Sequence, residues 1–157
     1  TDTFISHRGV CRDFAHLLIA FARAVGWGTL AGAAPYMALL FVPMLFSLWD
    51  GEDPLSASML VLFPLALSGA FVLGSALLFG LPLTFFLSES AQEHGGTYAM
   101  TGAVLGLLVP VAVTVWMGGG VGGEVLFLSL PGCFAGLVTG TSWGRWREAQ
   151  RAAQDAG

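Results

Sequence analysis

The chain has 157 residues, of which 55% are hydrophobic and 10% charged, with a net charge of −4. Soluble domains average roughly 25% charged residues, and they need polar side chains over most of their surface. This composition excludes an ordinary soluble domain and predicts an all-α membrane protein.

The first predicted element is an amphipathic helix over about residues 10–25. Its apolar face repeats at helical spacing, and its other face is polar. The apolar positions are Phe14, Leu17, Leu18, Phe21 and Val25; the polar ones are Arg12, Asp13, His16 and Arg23. We expect Cys11 in the first turn of this helix, where the helix dipole and free backbone N–H groups would favour a thiolate.

Four apolar spans follow, at about residues 28–49, 58–80, 97–117 and 125–143. About 20 helical residues cross a hydrocarbon core of about 30 Å. The second apolar stretch continues to residue 87, and we expect Gly80-Leu-Pro82 to end its helix. The connections are short and turn-like, which predicts antiparallel neighbours. The sequence thus divides into an N-terminal segment 1–26, a four-span domain 27–144 and a tail 145–157.

The charges predict the orientation of these spans. No Asp, Glu, Arg or His lies inside them; Arg8, Arg12 and Arg23 precede the first span, and Arg145, Arg147 and Arg151 follow the last. Cytoplasmic flanks collect arginine, so both termini should be cytoplasmic, in an inner membrane. All five tryptophans fall at span ends, as expected for residues that anchor at the bilayer interface.

Small residues four apart predict close helix packing, most clearly at Gly132, Gly136 and Gly140. Such a ridge lets a neighbouring backbone approach closely. The neighbour can be another helix of the same bundle, which we favour, or a second copy of the chain or another membrane protein.

The run Arg8-Gly-Val-Cys-Arg-Asp-Phe-Ala-His16 resembles the nucleophile helix of the transglutaminase-like superfamily. The resemblance covers residues 1–26 and implies a papain-like fold, with Cys11 as the nucleophile of acyl transfer or peptide hydrolysis. It ends at Gly26, where the family continues with a strand of the form Ile-Pro-Ala-Arg, and no counterpart of the catalytic His and Asp follows. Residues 27–157 resemble small uncharacterised bacterial multi-pass membrane proteins.

Two functions follow as expectations. The first is a non-catalytic integral membrane protein in contact with the lipid bilayer, whose N-terminal join reflects a truncated or frame-shifted gene, a natural fusion, or an enzyme completed by another chain. The alternative is a transglutaminase-like cysteine enzyme that uses Cys11. Ionisable groups at membrane depth are absent from the spans, which argues against a proton-coupled transporter. No metal or cofactor site is expected, no basic patch suggests nucleic-acid binding, and Cys11 and Cys133 should not form a disulfide.

Overall fold

The computed structural model describes the backbone of residues 2–51, 53–89, 94–118, 120 and 122–155. Within these ranges it describes the side chains from residue 14 onward, except those of residues 88, 89, 124, 128, 154 and 155. These residues are helical apart from short turns, and they contain no strand. The helices are α1 (Asp2–Trp49), α2 (Pro54–Ser75), a π-helical turn (Ala76–Gly80), α3 (Leu81–Glu89), α4 (Gly95–Trp116) and α5 (Gly123–Asp155).

Four helical stretches are long and apolar enough to cross a membrane. The described residues place them at Phe14–Trp49, Pro54–Leu87, Gly95–Trp116 and Val125–Ala153. The predicted all-α fold with four spans is confirmed, and the chain is a multi-pass membrane protein. All four stretches are longer than the predicted spans, three of them by ten residues or more, because a helix keeps its backbone hydrogen bonds after it leaves the bilayer.

Helix α1 runs without a break from the N-terminal segment into the first span. Its 48 residues make it about 72 Å long. It begins at Asp2 rather than near Val10, so Cys11 lies inside the helix and not in its first turn. Neither Gly9 nor Gly26 ends the helix, since glycine costs about 1 kcal/mol in a helix but keeps its N–H donor. The helix-dipole argument for a Cys11 thiolate therefore loses its structural basis.

The second span also continues through its expected stop. The prediction that Gly80-Leu-Pro82 ends the helix is wrong, because α2 passes through the π-helical turn directly into α3. In that turn the N–H of Leu81 donates to the carbonyl of Ala76, five residues back. Proline lacks an N–H and is tolerated in the first turn of a helical segment, so the wider turn places Pro82 at the start of α3.

The helices pack side by side in the order α2, α1, α5, α4. Helix α5 lies along α4, and its other side packs on α1, which in turn packs on α2. Two aromatic pairs show that α1 and α5 are antiparallel: Phe21 contacts Trp143 at one end, and Tyr36 contacts Phe127 at the other. The outer helices, α2 and α4, touch each other at few points. The bundle is therefore open along one side.

Helices α4 and α5 meet along a glycine seam, by which we mean Gly95, Gly102 and Gly106 of α4 against Gly132, Gly136, Gly140 and Gly144 of α5. A methyl group added at Gly136 would overlap the carbonyl oxygen of Gly102, and one at Gly132 would overlap that of Gly106. Backbones this close leave no room for a side chain. The ridge predicted from the sequence is thus filled by α4 of the same chain, and a homo-oligomer through it remains a prediction.

Candidate functional site

An apolar cleft lies between the helices, on the side where α2 and α4 face each other. Its volume is about 620 Å³, and residues from all four spans line it. On α1 the lining runs from Phe21 to Leu40, a rise of about 29 Å. This length is close to the thickness of a bilayer's hydrocarbon core, about 30 Å. The cleft is therefore about as long as the apolar layer of a bilayer is thick.

Six of the hydroxyl groups that line the cleft donate to backbone carbonyls of the protein. Two of them cross between helices: Tyr36 donates to the carbonyl of Phe127 at 2.7 Å, and Ser68 donates to that of Thr29 at 3.1 Å. Four others donate to carbonyls three or four residues back on their own helix. These are Ser75, Thr84, Thr114 and Thr139.

Bonding of this kind is the usual role of Ser and Thr side chains inside helices. No charged side chain lines the described part of the cleft. Since these six hydroxyls already donate within the protein, the cleft offers a largely apolar surface.

Beside the π-helical turn, Trp143 joins α5 to α3. The indole Nε1 donates to the Thr84 hydroxyl at 3.1 Å, and that hydroxyl donates to the carbonyl of Gly80 at 2.8 Å. The indole ring also packs edge-on against Phe21 and lies against Trp146. Trp143 therefore packs within the bundle, at the span end where the sequence predicts an interfacial anchor.

Of the residues predicted for cysteine chemistry, His7 and Cys11 lie in the helical backbone of α1, and their side chains are outside the described residues. His16 is exposed on α1, and His94 precedes α4. Cys133 is a free thiol that is partly buried in α5. Within the described residues no group of His, Cys, Asp and Glu could hold a metal ion.

No local pattern in the sequence predicts the cleft. Its lining combines residues from distant parts of the chain, and its open side depends on α2 and α4 failing to pack. The glycine seam, by contrast, was indicated by the four-residue spacing of its glycines, and close packing at this seam places α4 beside α5 instead of α2.

Comparison with family models, with curated proteins and with solved structures finds no match for this chain.

Proposed function

We propose that this chain is a non-catalytic membrane protein that holds one acyl chain of a bilayer lipid in the cleft. The observation that carries the proposal is a cleft about 620 Å³ in volume whose lining combines apolar side chains with hydroxyls already bonded to carbonyls. Ligand sites in proteins commonly have volumes of about 300–1,000 Å³. A polar or charged substrate would lose its hydration here without gaining hydrogen-bond donors, which is costly.

The shape and chemistry of the cleft suit a lipid chain. Its lining runs about 29 Å along α1, and α2 and α4, which border its open side, touch each other at few points. A flexible acyl chain can enter sideways from the bilayer through the open side and lie along the helices.

Blocking the cleft should abolish lipid retention. Leu67 lines the cleft on α2, and we expect Leu67→Trp to fill much of the space beside α4. Leu62→Trp is the matched control, because Leu62 is an exposed leucine of the same helix that does not line the cleft. The measurement uses the full chain in phosphatidylcholine vesicles that contain a phospholipid with a photoreactive diazirine in one acyl chain. Labelled peptides are then mapped by mass spectrometry.

In the unmodified chain we expect labels on the inner faces of α4 and α5, at Leu105 and Val109 among others. Leu67→Trp should remove these labels, and Leu62→Trp should keep them. Labels on the outward-facing residues should be unchanged in both variants. Cleft labels that persist in Leu67→Trp, or that are absent from the unmodified chain, would show that no acyl chain occupies the cleft.

We further propose that both termini lie in the cytoplasm. The support is the six arginines on the flanks of the first and last spans, against the acids Asp50 and Asp53 in the first connection. Reporter fusions at the two termini should report cytoplasm, and a fusion in the first connection should report periplasm. A periplasmic carboxyl terminus with a cytoplasmic amino terminus would contradict four spans as well as the orientation.

For the transglutaminase-like segment we expect no cysteine-dependent turnover. Acyl transfer needs a base to take the thiol proton and a donor for the leaving group, held in a fixed geometry. In detergent, Cys11→Ala should therefore leave transamidation and peptidase assays at background. Cys133→Ala is the matched control for loss of a thiol. Turnover that disappears in Cys11→Ala and persists in Cys133→Ala would restore the enzyme hypothesis, and His7, His16 and His94 would then be tested as the base.

A further inference from the structure

A second groove lies between α1 and α5, on the side of this helix pair that faces away from the cleft. Its volume is about 590 Å³. Helix α1 contributes a stripe at helical spacing that contains His16, Arg23 and Trp27, and α5 contributes Arg145 and Trp146. His16 and Arg23 belong to the polar face predicted for the N-terminal helix, and Arg145 belongs to the basic carboxyl end.

The groove carries two guanidinium groups and no carboxylate. Arg23 and Arg145 both line it and are both exposed, and no described residue forms an ion pair with either. The nearby acid Glu148 is engaged elsewhere, where its Oε1 accepts the backbone N–H of Gly95 at 2.6 Å. Two like charges facing one groove repel each other, and an anion between them would offset that repulsion. Arginine binds phosphate oxygens with paired N–H donors.

The residues that line the groove change from charged to apolar along its length. Trp27 is one turn further into the membrane than Arg23, about 6 Å along α1. On α5, Leu137 and Val138 line the same groove about 10–12 Å deeper than Arg145. A ligand that fills the whole groove must therefore be anionic at one end and apolar at the other. The indoles of Trp27 and Trp146 border it at the depth where tryptophan meets lipid headgroups.

We propose that this groove binds an anionic phospholipid of the leaflet that surrounds the ends of α1 and α5. The phosphate lies between Arg23 and Arg145, and an acyl chain lies over Leu137 and Val138. Basic pockets between transmembrane helices suit anionic headgroups in this way. The site is separate from the cleft, and it depends neither on the ligand proposed there nor on which side of the membrane the termini face.

The test uses the full chain in a neutral detergent. Phosphatidylglycerol and phosphatidylcholine with identical acyl chains are titrated separately, and bound lipid is counted by native mass spectrometry. Inorganic phosphate is the third probe. The variant is Arg23→Gln with Arg145→Gln, and its matched control is Arg147→Gln with Arg151→Gln, which removes the same charge outside the groove.

We expect the unmodified chain to bind phosphatidylglycerol tightly and phosphatidylcholine weakly, and inorganic phosphate not to compete. Loss of two phosphate contacts worth about 1 kcal/mol each should weaken phosphatidylglycerol binding by about 30-fold. The control pair should change it by less than about threefold, because neither Arg147 nor Arg151 lines the groove. The cleft variant Leu67→Trp should leave this preference unchanged, which separates the two lipid sites.

Equal losses in both arginine pairs would overturn the proposal, since they would show attraction to surface charge in general. Equal binding of the two lipids would overturn it as well, and competition by inorganic phosphate would show an ion site instead of a lipid site. If the groove variant fails to fold, the unmodified chain is photolabelled with a diazirine-bearing phosphatidylglycerol. Labels should then fall within residues 16–27 and 137–146, and their absence there would refute the site.

Discussion

Gly136→Leu should lower the free energy of unfolding by about 3 kcal/mol or more, at the upper end of the cost of overpacking. Even a methyl group at this position would overlap the carbonyl oxygen of Gly102, which belongs to a backbone and cannot rotate away. The side chain must push α4 and α5 apart along the whole glycine seam. Weak Cα–H···O contacts and dispersion contacts are lost together.

The measurement is reversible unfolding in mixed micelles with a denaturing detergent, followed by far-UV circular dichroism. Gly74→Leu is the matched control, because Gly74 also lies within a span but has open space where its Cβ would be. It should stay within about 0.5 kcal/mol of the unmodified chain, as surface substitutions do. A monomer of normal stability in Gly136→Leu, combined with the loss of a larger oligomer, would show that the ridge joins two copies.

Gly28→Ala should be destabilising by about 1–3 kcal/mol, and Thr139→Ala should recover part of that loss. Gly28 is buried where α1 crosses α5, and a Cβ there would overlap the Thr139 hydroxyl. That hydroxyl bonds only to the carbonyl of Ala135 on its own helix, at 2.8 Å. Removing it should therefore cost less than 1 kcal/mol, about the net value of a hydrogen bond in a membrane protein.

The recovery should be partial, because the carbonyl oxygen of Ala135 would still lie 3.0 Å from the new Cβ. The double variant should fall between the Gly28→Ala single variant and the unmodified chain in the same unfolding assay. Thr141→Ala is the control partner, since Thr141 bonds to its own helix in the same way but does not face Gly28. Additive losses in Gly28→Ala with Thr139→Ala would contradict the packing of α1 on α5.

Much of this fold could be predicted from the sequence because the bilayer imposes simple requirements. A span must be long and apolar, so uncharged stretches of about 20 residues in the sequence predict the central part of each span. The helix ends could not be found in the same way, because leaving the membrane does not end a helix. Pro82 shows the difference clearly: local rules predicted a stop, but a π-helical turn in the preceding residues accommodates the missing N–H donor.

The candidate sites were harder to predict than the fold. The polar stripe of Arg23 and His16 was visible, but its neighbour across the groove is more than 100 residues away in the chain. Which helices become neighbours depends on side-chain volume at many positions at once. Because α4 packs on α5 at the glycine seam, one face of α2 has few helix contacts. No local pattern in the sequence of α2 predicts this open face.

The open side between α2 and α4 determines how the molecule deforms. The other three helix boundaries hold interdigitated backbones, cross-helix hydrogen bonds or ring contacts, so separating them breaks specific interactions. Separating α2 from α4 breaks few. When lateral pressure in the bilayer changes, the cross-section of the protein should expand or contract at this boundary before any other. Within the membrane plane, the protein should therefore deform most easily in one direction, which runs across the gap between α2 and α4.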